Sequence, residues 1–302
     1  MRYREAVSVA TVDAMERDPK VILLGQNVTA PHGVFGTTTE AFRRFPGRVL
    51  EIPLSETMIT GACVGLALEG YKPILVHTRA DFSLFSFEAL INVAAKLPFL
   101  RGKPLPFVMR CVVGRGWGQG PVHSQSFHHL LAQVPGLDVV VPSITYYGAY
   151  LRWAVARDWP TVIIEPRRLY EEDRLLERVT EEQDWREPDV ELVCLGDTIL
   201  DCVDAREQLA KIGIRAHVIP WEQMRFPPRQ DAPRVTVDMA PRRSEPGLVA
   251  PPFKPQGVSQ VYERAWYPTA NDIVRAACEL LGRKSPQETT RDRSYAPVSS
   301  AF

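Results

Sequence analysis

Three clusters in the sequence carry side chains able to move protons or hold charge. In Pro53-Leu54-Ser55-Glu56-Thr57 a carboxylate stands where an apolar run ending at Ile52 gives way to small apolar residues, among them Ile59, Gly61, Ala62, Gly65, Leu66 and Ala67. Ser55 is placed to cap a helix starting there, and Glu56 to sit in its first turn, where the helix dipole favours a negative charge. By position alone Glu56 also reads as an ordinary solvent-facing glutamate. Its place at the end of a strand, where open α/β sheets bind ligands, makes it a candidate for acid–base chemistry. His77-Thr78-Arg79-Ala80-Asp81-Phe82 follows a second apolar run. Residues two apart in an extended segment project to one side, so His77 and Arg79 together suit a carboxylate or phosphate, with an ion pair from Arg79 to Asp81 or Glu88 as the plainer alternative. The third cluster, Gly114-Arg115-Gly116-Trp117-Gly118-Gln119-Gly120-Pro121-Val122-His123-Ser124-Gln125, comes directly after Val113. Alternating glycines let the backbone approach a ligand, an imidazole at His123 suits proton transfer near neutral pH, and Ser124 is placed to cap a following helix. With Gln at 119 the loop is neither a GxGxxG nor a P-loop, and a plain surface loop is the alternative. His128-His129 lacks a Cys, Asp or Glu at ligand spacing, so no metal site is expected there.

Periodicity supplies the elements that must hold these clusters. Apolar residues at helical spacing from Glu5 to Met15 stop at Asp18-Pro19, and Val21 to Leu24 then reads as a buried strand. The alternation continues with helix 40–45, strand 49–52, helix 56–69, strand 73–76, helix 82–97, strand 107–113, strand 139–141, helix 146–157 and strand 162–164. Short apolar runs between helices imply right-handed crossovers and a parallel sheet covered on both faces. This gives a first α/β domain over 1–175. A charge-rich linker follows at 176–189, and then a smaller α/β domain over 190–284 with strands 190–195, 215–219 and 235–237 and helices 200–212 and 271–281. Five prolines between 239 and 258 forbid a continuous helix or central strand there. The polar stretch 285–302 is expected to be a disordered tail.

Composition narrows the function classes. The 302 residues are 45% hydrophobic and 24% charged, as in a globular protein able to bury a core. Lys+Arg and Asp+Glu are 36 each, so no net charge draws the chain to nucleic acid or anionic lipid, and neither is expected as a partner. With no 18-residue apolar run and no signal-peptide core, a cytoplasmic protein is expected. Five scattered cysteines without a CxxC read as reduced core thiols.

Longer motifs then occur in order between residues 3 and 170: VILLGQNV, HGVFGTT, EIPLSETMITGACVGLALEGYKPI, DFSLFSFEALINVAAK, PVHSQS, VPGLDVVVPS and IIEPRRLY. In these motifs, their order and their spacing, the chain resembles the β subunits of thiamine-diphosphate-dependent 2-oxo acid dehydrogenase E1 components, pyruvate dehydrogenase E1 β among them. More loosely it resembles the pyrimidine-binding half of transketolases. ELVCLGDTILDCVDAREQLAKIGIRAHVI and YPTANDIVRAACELLG are weaker traces of the family's C-terminal domain. The resemblance implies an α/β chain: a parallel-sheet, pyrimidine-binding thiamine-diphosphate fold, followed by a smaller, shortened transketolase C-terminal-like domain.

It also implies roles. Glu56 matches the glutamate that hydrogen-bonds N1′ of the cofactor's aminopyrimidine, Phe82 the aromatic that packs on that ring, and His123 the histidine beside the thiazolium and substrate. Thr78 and Glu88 fall at positions near the cofactor. His77 and Arg79 stand where the family carries apolar or neutral residues, which points to an altered substrate. Gly25-Gln26-Asn27 replaces the family's Gly-Glu-Asp or Gly-Glu-Glu, so an acid expected to relay protons between sites is neutralised. The Gly-Asp-Gly motif and later Asn that hold the diphosphate and its divalent metal are missing, Gly196-Asp197-Thr198 being the nearest approach. The chain is therefore expected to hold half an active site and to need an α-type subunit, in an α2β2 or αβ assembly, that carries most of the Mg2+ ligation. The expected activity is decarboxylating cleavage of a 2-oxo acid with acyl transfer to a lipoyl acceptor. A split, transketolase-like transfer of a two-carbon ketol or acyl unit to a carrier protein or aldehyde is the alternative, and an inactive scaffold the third, against which the intact Glu56, Phe82 and His123 argue. Partners beyond the α-type subunit would be a lipoyl transacylase or an acyl-carrier protein.

Overall fold

The computed structural model describes residues 1–115, 118–143, 146–173, 187–242, 245–252, 256 and 258–286. Most of the linker expected at 176–189 and nearly all of the tail expected at 285–302 lie outside the described residues. The chain divides into two compact units. One comprises Met1–Val113, Ser126–Asp173 and Gln223–Phe226; the other comprises Gly114–Gln125 and the described residues of 174–222 and 227–302.

The first unit is built on six strands, β1 Val21–Gly25, β2 Val49–Glu51, β3 Lys72–His77, β4 Val108–Val113, β5 Asp138–Val140 and β6 Thr161–Pro166. They form one all-parallel sheet in the order β2-β1-β3-β4-β6-β5. Every residue of β4 and β6 is buried, as in a sheet covered on both faces. Helices α1 Tyr3–Arg17, α2 Thr39–Arg44, α3 Glu56–Leu68, α4 Leu97–Arg101, α5 His128–Ala132 and α6 Tyr147–Ala156 accompany the sheet. The chain steps from β1 outward to β2 and then returns across β1 to β3, so the connections part in opposite directions between β1 and β3. That is the switch point where open sheets of this kind form a crevice at their carboxyl edge. Register brings both strands to that edge together, with Leu24 opposite Leu75 and Gly25 opposite Val76. Gly25 is required there, because a Cβ would lie 2.7 Å from Val28 Cγ1 and 2.8 Å from the Val76 carbonyl.

The helix expected over 82–97 is a different object. A tight 3₁₀ segment runs from Ala80 to Ser86, a wide π-helical segment from Glu88 to Ala94, and α4 begins only at Leu97. Ser83 donates back to the Ala80 carbonyl at 2.7 Å and Ser86 is tied to β3, so both serines hold the first turn out of α geometry.

Under the sheet's carboxyl edge, Arg110 of β4 and Glu165 of β6 form a fully buried pair. Arg110 Nε donates to Glu165 Oε1 at 2.6 Å and Nη2 to Oε2 at 3.0 Å. The Tyr147 and Tyr170 hydroxyls donate to the same carboxylate. Burial alone would lower the Arg110 pKa, but the Glu165 charge holds it above the ordinary arginine range, while burial pushes both tyrosines well up. Arg110 Nη2 also donates to Thr37 Oγ1 at 3.1 Å. Thr37 in turn donates to the Val34 carbonyl, pinning a turn in which Val34 and Phe35 adopt φ of +40° and +59°.

The second unit holds a four-stranded parallel sheet of β7 Val190–Cys194, β8 Ala216–Pro220, β9 Arg234–Val237 and β10 Leu248–Val249, in the order β10-β9-β7-β8. Helices α7 Thr198–Ala210, α8 Gln260–Trp266 and α9 Ala270–Leu280 complete it. The two-residue β10 sits at the sheet edge, where a proline-rich segment is tolerated. All five cysteines are free and buried, and burial pushes the Cys63 thiol up to about 12. No single helix among the described residues is long and apolar enough to cross a membrane.

Candidate active site

Glu56 opens α3 as expected, but Ser55 at the cap position makes no side-chain cap bond. The carboxylate is instead met from the turn that follows β1: Gln26 Nε2 donates to Glu56 Oε1 at 3.3 Å. Oε2 has no partner among the described residues, and both side chains are half-buried. Gln26 is steadied by the turn after it, where Glu51 accepts from the Asn27 N–H at 2.6 Å and the Thr29 N–H at 3.1 Å while Asn27 takes a left-handed φ of +58°. The first turns of α3 are stitched to the 3₁₀ segment that carries Phe82. Thr57 Oγ1 donates to the Phe85 carbonyl at 2.7 Å, and Thr60 Oγ1 lies 2.7 Å from Ser86 Oγ. Glu56 and the half-buried Phe82 thus stand on neighbouring elements at the switch point.

His77 ends β3 with its imidazole buried and its Nε2 3.1 Å from Ser86 Oγ. Burial pushes its pKa down to about 4, so the ring is neutral at physiological pH. Thr78 is half-buried and its carbonyl accepts from Arg79 Nη1 at 3.2 Å. The half-buried Arg79 has its pKa lowered, first by burial and then by the like charge of Arg167, with Asp81 acting the other way. Arg167, the first residue after β6, stacks over the Phe35 ring at 4.4 Å. Glu88 is exposed at the start of the π-helical segment.

His123 belongs to the second unit, half-buried, its N–H donating to the Gly120 carbonyl at 3.3 Å. No helix starts at Ser124; the next one, α5, begins at His128. His128 Nδ1 is 2.7 Å from Ser126 Oγ. Gln26 as a donor to Glu56, Ser86 and Thr60 behind His77, and Arg167 beside Arg79 are partnerships that sequence reasoning missed. They join positions far apart in the chain and leave no local signal.

Residues 1–172 match the model of the transketolase pyrimidine-binding domain. The chain belongs to this family. Within it, the chain is 32% identical over 234 residues to the 2-oxoisovalerate dehydrogenase subunit beta of Bacillus subtilis, spanning 72% of this chain and 71% of that protein. It is 27% identical to the pyruvate dehydrogenase E1 component subunit beta of Staphylococcus aureus over 93% of this chain and 98% of that one. The pyrimidine-binding unit and its companion together share their fold with a split-gene transketolase solved as an inactive β4 tetramer, at a TM-score of 0.69 and 20% identity, covering 94% of this chain and 99% of that chain. Transketolase from Leishmania mexicana gives a TM-score of 0.75 at 18% identity, over 93% of this chain and 45% of that one. The chain is thus a pyrimidine-binding family member of the E1 β type, with the expected two-sheet α/β architecture.

The donor set of the pyrimidine-binding unit fits one end of thiamine diphosphate. A half-buried carboxylate with one oxygen held and the other open, on a helix stitched to the segment that carries a half-buried aromatic, suits an aminopyrimidine.

Proposed function

We propose that the chain is the β-type subunit of a thiamine-diphosphate enzyme that cleaves a 2-oxo acid with decarboxylation and passes the acyl fragment to a lipoyl group, active only with an α-type subunit. The observation that carries this is Glu56 at the switch point, oriented by Gln26 with Oε2 open. When bound, the cofactor supplies a carbon nucleophile and an electron sink for cleavage beside a ketone. Glu56 would hold a proton at N1′ of the aminopyrimidine, Phe82 would pack on that ring and exclude water, and Thr78 would line the same end. Arg79 would grip the anionic group of the donor, with His77 as a neutral wall behind it. His123 would move a proton at the substrate oxygen.

An α-type partner is supported by the outer face of α3, where Met58, Gly61, Ala62 and Gly65 are exposed beside the exposed Leu54 and Phe85, an apolar surface of the kind that partners cover. That partner would supply the groups for the diphosphate and Mg2+. Transfer of a ketol or acyl unit to an aldehyde or carrier protein is the second function, favoured by the Arg79 and Arg167 pair of cations, which suits a donor with an added anionic group.

The test is Glu56→Gln assembled with the α partner. An amide keeps the shape but holds no proton, so hydrogen–deuterium exchange at C2 of the bound cofactor should slow by about 10² to 10⁴. Exchange at the wild-type rate would remove Glu56 from the chemistry.

A further inference from the structure

The loop that carries His123 is fastened within the second unit by an arrangement that its own glycine-rich sequence does not announce. Arg115, at its start, is 10% exposed and lies between two carboxylates: Nη1 donates to Asp197 Oδ2 at 3.4 Å and Nη2 to Asp201 Oδ2 at 3.3 Å. Nη2 also reaches the Pro268 carbonyl at 3.4 Å, and the guanidinium stacks 4.2 Å over the buried Tyr267 ring. These partners come from the start of α7 and from the turn between α8 and α9. Only a planar, forked cation can meet two carboxylates, a carbonyl and an aromatic face at once.

A second fastening holds the middle of the loop. The Gly118 N–H donates to the buried carboxylate of Glu263 in α8, and the Gly118 carbonyl accepts from the Ser259 N–H at 3.0 Å. The approach is so close that a Cβ on Gly118 would lie 2.4 Å from the Gln260 nitrogen, and Ser259 itself adopts φ +109° against it.

We infer that Arg115 is a positioning residue: by clamping the loop onto α7 and the α8–α9 turn, with Glu263 and Gly118 as the second fastening, it fixes His123 for the reaction. This rests on the reading of His123 as a group that touches substrate. A 1 Å misplacement of a reacting group costs about 10²-fold in rate, so the clamp matters even though Arg115 touches no substrate.

The experiment uses the full chain assembled with its α-type partner, turning over pyruvate and branched 2-oxo acids with a dye as electron acceptor. Arg115→Ala should lower kcat by roughly 10- to 100-fold with KM held within about twofold, and Arg115→Lys, which keeps the charge but loses the fork, should recover part of it. In the same samples, amide hydrogen exchange of Gly118 and His123 should quicken by at least about tenfold, with β7 unchanged. Asp201→Asn, which loosens one arm only, gives the same readouts at smaller size if Arg115→Ala does not assemble. Wild-type exchange at both amides would overturn the clamp, and faster exchange with an unchanged kcat would overturn its role in positioning. His123→Ala separates the two ideas. A wild-type kcat in that variant removes His123 from the chemistry while leaving the exchange result standing.

Discussion

Burial of His77 makes a stability prediction that also decides how the anion-gripping pair works. The imidazole is 5% exposed, bonded to Ser86, and its pKa falls from an ordinary 6.5 to about 4 because burial penalises the charged ring. The folded value lies below the unfolded one, so the unfolded chain binds the proton more readily. Stability from this group is therefore complete above about pH 6.5 and is lost as the pH falls towards 4. The fall from 6.5 to about 4, at 1.36 kcal/mol for each tenfold change in proton affinity, sets a ceiling of about 3 kcal/mol, of which about 2 is lost between pH 7 and pH 5. His77→Gln keeps a side chain able to bond Ser86 but has nothing to titrate in this range. Urea unfolding of both proteins at the two pH values isolates the difference, because the other titrating groups are common to both. The wild type should lose about 2 kcal/mol more than His77→Gln on going from pH 7 to pH 5. Equal losses would mean that the ring titrates normally, is open to water, and is free to grip an anion as a cation, which would return His77 to the role its sequence position suggests.

Other consequences can be checked directly. Arg79→Ala should reduce kcat/KM for the anionic donor by about 10- to 100-fold, the worth of a charge-assisted bond, with cofactor affinity unchanged; an unaltered kcat/KM makes Arg79 structural. Arg110→Met should cost about 3–5 kcal/mol in chemical denaturation by stranding the buried Glu165, and Arg110→Met with Glu165→Gln, which removes the charge but keeps an acceptor for the Tyr147 and Tyr170 hydroxyls, should recover part of it; a double variant as unstable as the single would mean the stranded charge is not the source. The chain without its α partner should show no micromolar binding of thiamine diphosphate in calorimetry, because the Gly-Asp-Gly motif that holds the diphosphate in the resembled family is missing from this sequence, and tight binding would refute a shared site.

Much of the architecture was legible because it depends on local spacing. Runs such as Val21–Gly25 and Val162–Ile164 are apolar at every position, and only a strand covered on both sides wants that. The segment from Ala80 to Arg101 was not legible, since the same apolar residues satisfy a helix of 3, 3.6 or more residues per turn. What selects among them is Ser86 meeting His77 and Thr60, from β3 and α3. The helix at Gln260–Trp266 was missed for a similar reason: its seven residues are too few to show a period, and its anchor is a glycine some 140 positions earlier.

The site divides along the same line. Glu56, Phe82 and His123 are candidates because their motifs carry them, whereas the partners each side chain meets come from other elements. Gln26 is the sharpest case. In the sequence it counts only as an acid lost from Gly-Glu-Asp, yet its amide donates to Glu56 across 30 positions. A second carboxylate in that place would set like charges side by side and would have to share a proton; an amide can only donate. On the proposed reading, the substitution takes away a proton carrier and puts in its place a fixed donor that aims one oxygen of Glu56 and leaves the other for a ligand. A site arranged as proposed would orient its own glutamate without any exchange of protons with a second site, so the absence of a relay acid does not conflict with the retention of Glu56.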